Sequence, residues 1–280
     1  MLGIITSMIL IILLVSIFIF IMSIRPFRII SDVTPKNYGL DYEKTTVTTA
    51  DNLKLSAWYI PAKAESKKTL IVMHGYPADK GDALSTVLFL HKKYNLFLFD
   101  FRYFGESEGN HTSIGYKETR DLEATIKHIK KRFPDHKLGI YAYSLGAITT
   151  ILNETNDVQA IVLDSLVENV HALVDLKFKP LSIFRFPFVW TVEAMACLTF
   201  GTCPINMSLT DSVSKIHTPL FFIQGAKDSM MPSAGAKKVF NKANEPKEWW
   251  AVEKAEHIQS HFVASEEYER RVLEFYEKWI

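Results

Sequence analysis

The sequence predicts an α/β domain, a mostly parallel sheet with helices on both faces, preceded by one helix able to cross a bilayer. Three observations lead there. Short apolar runs rich in β-branched and aromatic residues alternate with helical patterns from Leu70 to the C-terminus. Such compact apolar runs suit strands buried on both faces of a parallel sheet. Finally, Leu2 to Ile24 carries no charge. As a helix this stretch would span about 34 Å, against a hydrocarbon core of about 30 Å.

The elements follow in order. Thr45 to Ala50 and Leu53 to Ile60 read as an antiparallel hairpin turning at Asp51-Asn52. Leu70 to Met73 is the next strand, followed by the turn His74-Gly75-Tyr76-Pro77 and a helix over Ala83 to Tyr94. A strand over Leu96 to Phe101 leads through a Gly-rich loop to an amphipathic helix around Tyr116 to Arg132. Leu138 to Tyr143 is a strand running directly into a helical pattern at Leu145 to Leu152, and Ala160 to Leu163 is the strand after it. The last strands are Leu220 to Ile223 and Trp249 to Val252, with helices at Ser233 to Asn244 and Glu266 to Trp279.

Regular alternation breaks between Ser165 and His217, where Phe178, Phe184, Phe186, Phe188, Trp190 and Phe200 fall in about fifty residues. This insertion, 166–217, reads as an aromatic-rich cap over the site, or as additional core packing. The expected organisation is an anchor over 1–25, a juxtamembrane linker over 26–44 containing Pro26, Pro35 and Gly39, and a domain over 45–280.

The apolar N-terminal run lacks the basic lead, the short apolar core and the small-residue cleavage site of a signal peptide, so a retained anchor is expected. Arg25 and Arg28 directly follow it, which by the positive-inside tendency leaves the domain cytoplasmic. Two cysteines, Cys197 and Cys203, imply a fold independent of disulfides, with one local bridge open to an oxidising compartment. The sequons at Asn110, Asn153 and Asn206 matter only on a lumenal side. Lys and Arg total 32 against 31 Asp and Glu, which gives no reason to expect nucleic acid.

Ser144 sits on the sharp junction between strand and helix, in Ala142-Tyr143-Ser144-Leu145-Gly146. A serine there is pushed out of the sheet at the positive end of a helix, the arrangement of a nucleophile elbow. Small residues two before and two after it let strand and helix approach, and Ala142 adds one methyl to the usual glycine. A formal Gly-x-Ser-x-Gly exists at Gly105-Glu106-Ser107-Glu108-Gly109. Ser107 lacks both the entering strand and the following helix, so Ser144 is preferred.

A serine hydroxyl needs a base, and the base needs a partner that fixes its tautomer. Asp228 follows the strand Phe221-Phe222-Ile223-Gln224 through a Gly turn and is preferred as the acid. Asp164 also ends a strand and is expected to cap the turn into the insertion. His257, in Glu256-His257-Ile258-Gln259-Ser260-His261 after the last strand, is the base, with His261 as its competitor. His257 and His261 lack the His-Glu-x-x-His pattern and a third ligand, so no metal is expected. The backbone N–H groups of Leu145 and Tyr76 are the candidate oxyanion donors. His74 is expected to stabilise its turn.

These motifs together resemble the α/β-hydrolase superfamily, specifically its serine aminopeptidase-like, prolyl-oligopeptidase-related group, from about Thr45 to the C-terminus. The matching segments are His74-Gly75-Tyr76, Asp79-Lys80-Gly81, Asp100 to Gly109, Tyr143-Ser144-Leu145-Gly146, Gly225-Ala226-Lys227-Asp228 to Pro232, and Glu256-His257. Tyr103 and Ala142 stand where relatives commonly carry glycine. The resemblance implies that Ser107 lies in a structural loop. With its N-terminal span the chain is similar to single-span hydrolases, some of whose relatives are acyl-protein thioesterases.

The expected activity is a membrane-anchored serine hydrolase of esters or thioesters, without cofactor, acting on an apolar acyl group. A small-peptide aminopeptidase is the rival enzyme, requiring an acidic group to bind the α-amino terminus. A noncatalytic binding protein would have no need of Ser144, Asp228 and His257 together.

Overall fold

The computed structural model describes residues 2–280; Met1, the first residue of the expected anchor, lies outside them. Helix α1 covers Leu2–Ile24. Strands β1 (Glu43–Thr48), β2 (Lys54–Ile60), β3 (Lys68–Met73), β4 (Asn95–Phe99), β5 (Lys137–Tyr143), β6 (Ala160–Asp164), β7 (Leu220–Gly225) and β8 (Lys247–Val252) form one sheet. Their order is β1-β2-β4-β3-β5-β6-β7-β8. Pairing is antiparallel from β1 through β2 to β4 and parallel from there on. The helices are α2 (Lys80–Val87), α3 (Thr119–Arg132), α4 (Leu145–Asn153), α5 (Val170–Phe178), α6 (Phe186–Phe200), α7 (Leu209–Ser212), α8 (Ser233–Lys242), α9 (Ser260–Val263) and α10 (Ser265–Trp279).

Alternation along each central strand feeds two cores. Ile71, Met73, Phe97 and Phe99 pack with Leu122 and Ile126 of α3, Ile148 of α4 and Val239 of α8. Leu70, Val72, Leu96 and Leu98 point the other way, onto Leu84 of α2 and Tyr268, Val272 and Tyr276 of α10. Each such fully buried side chain contributes on the order of 1.5–3 kcal/mol.

Several boundaries shift from the sequence reading, each for a local reason. The first strand stops at Thr48, two residues before the expected end, because Thr49 turns the chain: its hydroxyl donates to Asp51 Oδ1 at 2.6 Å and accepts from Leu53 N–H at 3.0 Å. Helix α2 starts at Lys80 rather than Ala83 because Asp79 caps it, accepting from the N–H groups of Gly81 and Asp82. It gives way at Leu88 to a 3₁₀ segment ending at Lys92. Helix α3 starts at Thr119, not Tyr116, because the Glu118 carboxylate gathers Thr112, Ser113 and Gly115 into a loop.

Between β6 and β7, α5 is capped by Asn169 and α6 ends at Gly201, whose φ of 78° suits glycine. Among the described residues two apolar stretches have the length and composition to cross a bilayer, Gly3–Ile24 and Val170–Phe200. The second is not one helix: it breaks at Ser182, with φ of 50°, into a hairpin. Cys197 and Cys203 are bridged at the end of α6. Helix α1 packs along α6 through Phe20 and Ile24 against Val189, Val192, Ala196 and Phe200.

Candidate active site

Ser144 occupies the junction between β5 and α4 with φ 53° and ψ −114°, a strained geometry costing about 1–3 kcal/mol that the surrounding strands hold in place. Its N–H still donates to Asp164 O at 2.9 Å, carrying the β5–β6 pairing one residue into the turn, and Ser144 lines the pocket. Close approach explains Gly146: a Cβ there would lie 2.8 Å from Met73 Cβ and O. Ala142, on the strand side, is buried and fits with its methyl.

Three residues far apart in sequence converge at this point. His257 Nε2 lies 3.1 Å from Ser144 Oγ, and its Nδ1 lies 2.8 Å from Asp228 Oδ2. Asp228 is fully buried and held: Oδ1 accepts from the N–H groups of Met230 at 3.0 Å and Met231 at 2.7 Å. Gln224, buried at the end of β7, donates to Asp228 Oδ2 at 3.2 Å and to Met231 O at 2.7 Å, while its Oε1 accepts from Leu166 N–H at 2.9 Å.

The competing candidates take other positions. Ser107 is buried, donates to Asp100 O at 2.7 Å and accepts from Ser56 N–H at 2.9 Å, so its hydroxyl ties the β4 loop to β2. Gly105, at φ 49°, lies so close to Asp100 that any Cβ would collide with the carboxylate. Asp100 is paired in turn with buried Lys80 at 2.5 Å. His74 is fully buried, bonding Gly75 O at 2.7 Å and accepting from Phe101 N–H at 3.0 Å, and burial lowers its pKa. It fastens two loops together, as a turn-stabilising residue would. His261 bonds Glu269 at 3.1 Å.

Asp164 does not cap the following turn, contrary to the sequence expectation. It accepts from Tyr268 OH at 2.9 Å and from Ser165 OH at 2.9 Å, and Tyr268 bonds Tyr141 at 2.8 Å. Burial pushes Asp164 up to about 6, against the pull of those donors and nearby His257. Ser165 also accepts from Ile258 N–H at 3.0 Å, fixing the loop that carries His257. Sequence reading missed Gln224 and Ser165. The one available signal was a glutamine inside an otherwise apolar strand, which must find partners when buried.

Among the described residues neither the Tyr76 nor the Leu145 main-chain N–H has an intramolecular acceptor, and both residues line the same cavity as Ser144 and His257. The cavity measures about 630 Å³ and is mostly apolar, walled by Ile148, Leu173, Phe178, Met207 and Met231. A hydroxyl, a base and two residues with free backbone N–H groups around one apolar chamber can attack and stabilise a carbonyl.

No protein-family profile matches the chain. The esterase Pf2001 of Pyrococcus furiosus is similar in structure, with a TM-score of 0.75 and 30% identity, covering 92% of this chain and 98% of that one. The α/β-hydrolase domain-containing protein WAV2 of Arabidopsis thaliana is 23% identical over 88% of this chain and 82% of its own length. An uncharacterized membrane protein of Saccharomyces cerevisiae, YNL320W, is 24% identical over 74% of this chain and 70% of its own. With its sheet order, its elbow and these relatives, the chain belongs to the α/β-hydrolase superfamily.

Proposed function

We propose that this hydrolase is a membrane-anchored serine hydrolase cleaving carboxylic esters or thioesters through an acyl-enzyme intermediate. The carrying observation is the relay from Ser144 Oγ to His257 Nε2 at 3.1 Å and from His257 Nδ1 to Asp228 at 2.8 Å. Ser144 attacks the carbonyl carbon while His257 takes its proton. Asp228, held by Gln224 and two backbone N–H groups, orients the imidazole and stabilises its charged form. The N–H groups of Tyr76 and Leu145 receive the developing oxyanion. His257 then protonates the departing alcohol or thiol, and in a second round activates the water that releases the acid and restores Ser144.

Among the described residues lining the cavity there is no carboxylate. An aminopeptidase would need one to bind the substrate's α-amino group, so the lining favours an apolar acyl substrate. Helix α1 and the membrane protein among the relatives support anchoring. Arg25 and Arg28 beyond α1 support a cytoplasmic domain, whereas the Cys197–Cys203 bridge supports an oxidising side. Alkylation of thiols in intact cells separates the two.

Steady-state hydrolysis of matched p-nitrophenyl butyrate, butyryl thioester and butyryl amide by detergent-solubilised full chain tests the activity. The expected result is turnover of ester and thioester, with a pre-steady-state burst that Ser144→Ala abolishes. Turnover that survives Ser144→Ala contradicts the proposal.

A further inference from the structure

The last two turns of α1 are a wall of the substrate cavity. Ile19, Phe20 and Ile24 line the chamber above Ser144, facing Val192, Ala196 and Phe200 of α6. The Phe20 and Phe200 rings stand 6.1 Å apart between their centroids. Residues Ser16, Phe20 and Ile24 recur at a spacing of four, which places them on one helical face, and all three are buried. Phe18, on the opposite face of the same turns, is 66% exposed.

This wall is fixed in register against the catalytic loops. Thr112 N–H donates to Ile24 O at 2.9 Å, and His111 stacks on Phe200, so α1 and α6 end over the same loop and run side by side. Just beyond α1, Tyr103 OH donates to Pro26 O at 2.7 Å. Tyr76, which lines the cavity, reaches back with its hydroxyl to Met22 O at 3.4 Å. Ser31 N–H donates to Asp79 Oδ2 at 2.7 Å, which straps the following segment to the cap of α2. The helix is thus built into the site as well as attached to it.

We infer that α1 is a specificity-determining wall: the substrate's acyl chain runs from Ser144 into the space between α1 and α6, and Ile19, Phe20 and Ile24 set the length it can have. This rests on the proposed acyl-transfer reading of Ser144. The ligand class that follows is a medium- to long-chain fatty acyl ester or thioester, since only a chain extending well beyond the carbonyl would reach α1. A short acyl group would be handled at Ser144 without touching that wall.

The test uses the full chain in detergent micelles and measures kcat/KM for p-nitrophenyl butyrate and p-nitrophenyl decanoate. Ile19→Trp and Ile24→Trp fill the inner face; Phe18→Trp places the same bulk on the outer face of the same helix. Phe20→Ala enlarges the chamber. The expected result is at least a tenfold fall in the decanoate-to-butyrate ratio for the two inner tryptophans, a rise for Phe20→Ala, and a ratio within twofold of wild type for Phe18→Trp. Equal ratios for inner and outer variants, with Ser144-dependent butyrate turnover intact, overturn the inference and leave the proposed activity standing. Absence of any Ser144-dependent turnover in wild type overturns both.

Discussion

Gln224 holds Asp228 from below: its Nε2 donates to Asp228 Oδ2 at 3.2 Å and to Met231 O at 2.7 Å, and its Oε1 accepts from Leu166 N–H. One buried amide thereby joins Asp228, the turn after it and the start of the insertion. Replacing it with Leu removes one donor from the carboxylate and leaves the Leu166 N–H unpaired. Gln224→Leu is expected to lower kcat for p-nitrophenyl butyrate about tenfold and to cost roughly 1–3 kcal/mol of stability. Kinetics together with a urea melt check both, and an unchanged kcat contradicts the positioning role.

Asp164 ends β6 and Asp228 follows β7 through the Gly225 turn, and they face different partners. Asp228→Asn is expected to lower kcat/KM by on the order of 10⁴, because it disrupts the tautomer of His257. Asp164→Asn, whose partners are Tyr268 and Ser165, is expected to cost less than tenfold. Reversal of that order would move the acid role to Asp164.

The raised pKa of Asp164 makes a stability prediction. Burial raises its carboxyl to about 6 in the fold from an ordinary value of 3.8, so between these pH values the folded chain holds a proton that the unfolded chain has lost. Stability from this group is full below about pH 4 and falls as pH rises to about 6, by about 3 kcal/mol. Asn cannot titrate. Urea melts at several pH values should therefore show wild type losing stability relative to Asp164→Asn across that window, and parallel curves would refute it.

Lys80 is buried against Asp100, so removing the ammonium leaves a buried carboxylate without its counter-charge. Lys80→Met is expected to destabilise the domain by about 3–5 kcal/mol, read as a thermal midpoint lowered by on the order of 10 °C. A midpoint within 2 °C of wild type, roughly a fraction of 1 kcal/mol, would mean the pair is not structural.

The elbow predicts an asymmetry between its two small residues. Gly146→Ala pushes a methyl into Met73 and should cost about 1–3 kcal/mol, whereas Ala142→Gly should cost no more than about 1 kcal/mol. Chemical denaturation of both variants measures the difference.

The three residues that converge, Ser144, Asp228 and His257, are legible in the sequence because each sits at a junction marked by a local pattern. Ser144 needs an entering strand and a leaving helix, and Asp228 and His257 each follow a strand, so contiguous residues mark all three. Gln224, Ser165 and Asp164 were harder because their partners are distant: Leu166 lies 58 residues from Gln224, and Tyr268 lies 104 from Asp164. The docking of α1 on α6 left no clear trace, since a helix apolar on every face advertises no buried stripe. Apolar spacing alone does not mark the helix starts at Lys80 and Thr119, which capping by Asp79 and the Glu118 loop set.

The proposed activity requires Ser144, not Ser107, to be the activated nucleophile. Fluorophosphonate labelling of detergent-solubilised full chain, with wild type compared against Ser144→Ala, Ser107→Ala and His257→Ala and the modified peptide mapped by mass, tests it most directly. The adduct is expected on Ser144, lost in Ser144→Ala, strongly reduced in His257→Ala and retained in folded Ser107→Ala. An adduct on Ser107, or labelling that persists in Ser144→Ala, would contradict it.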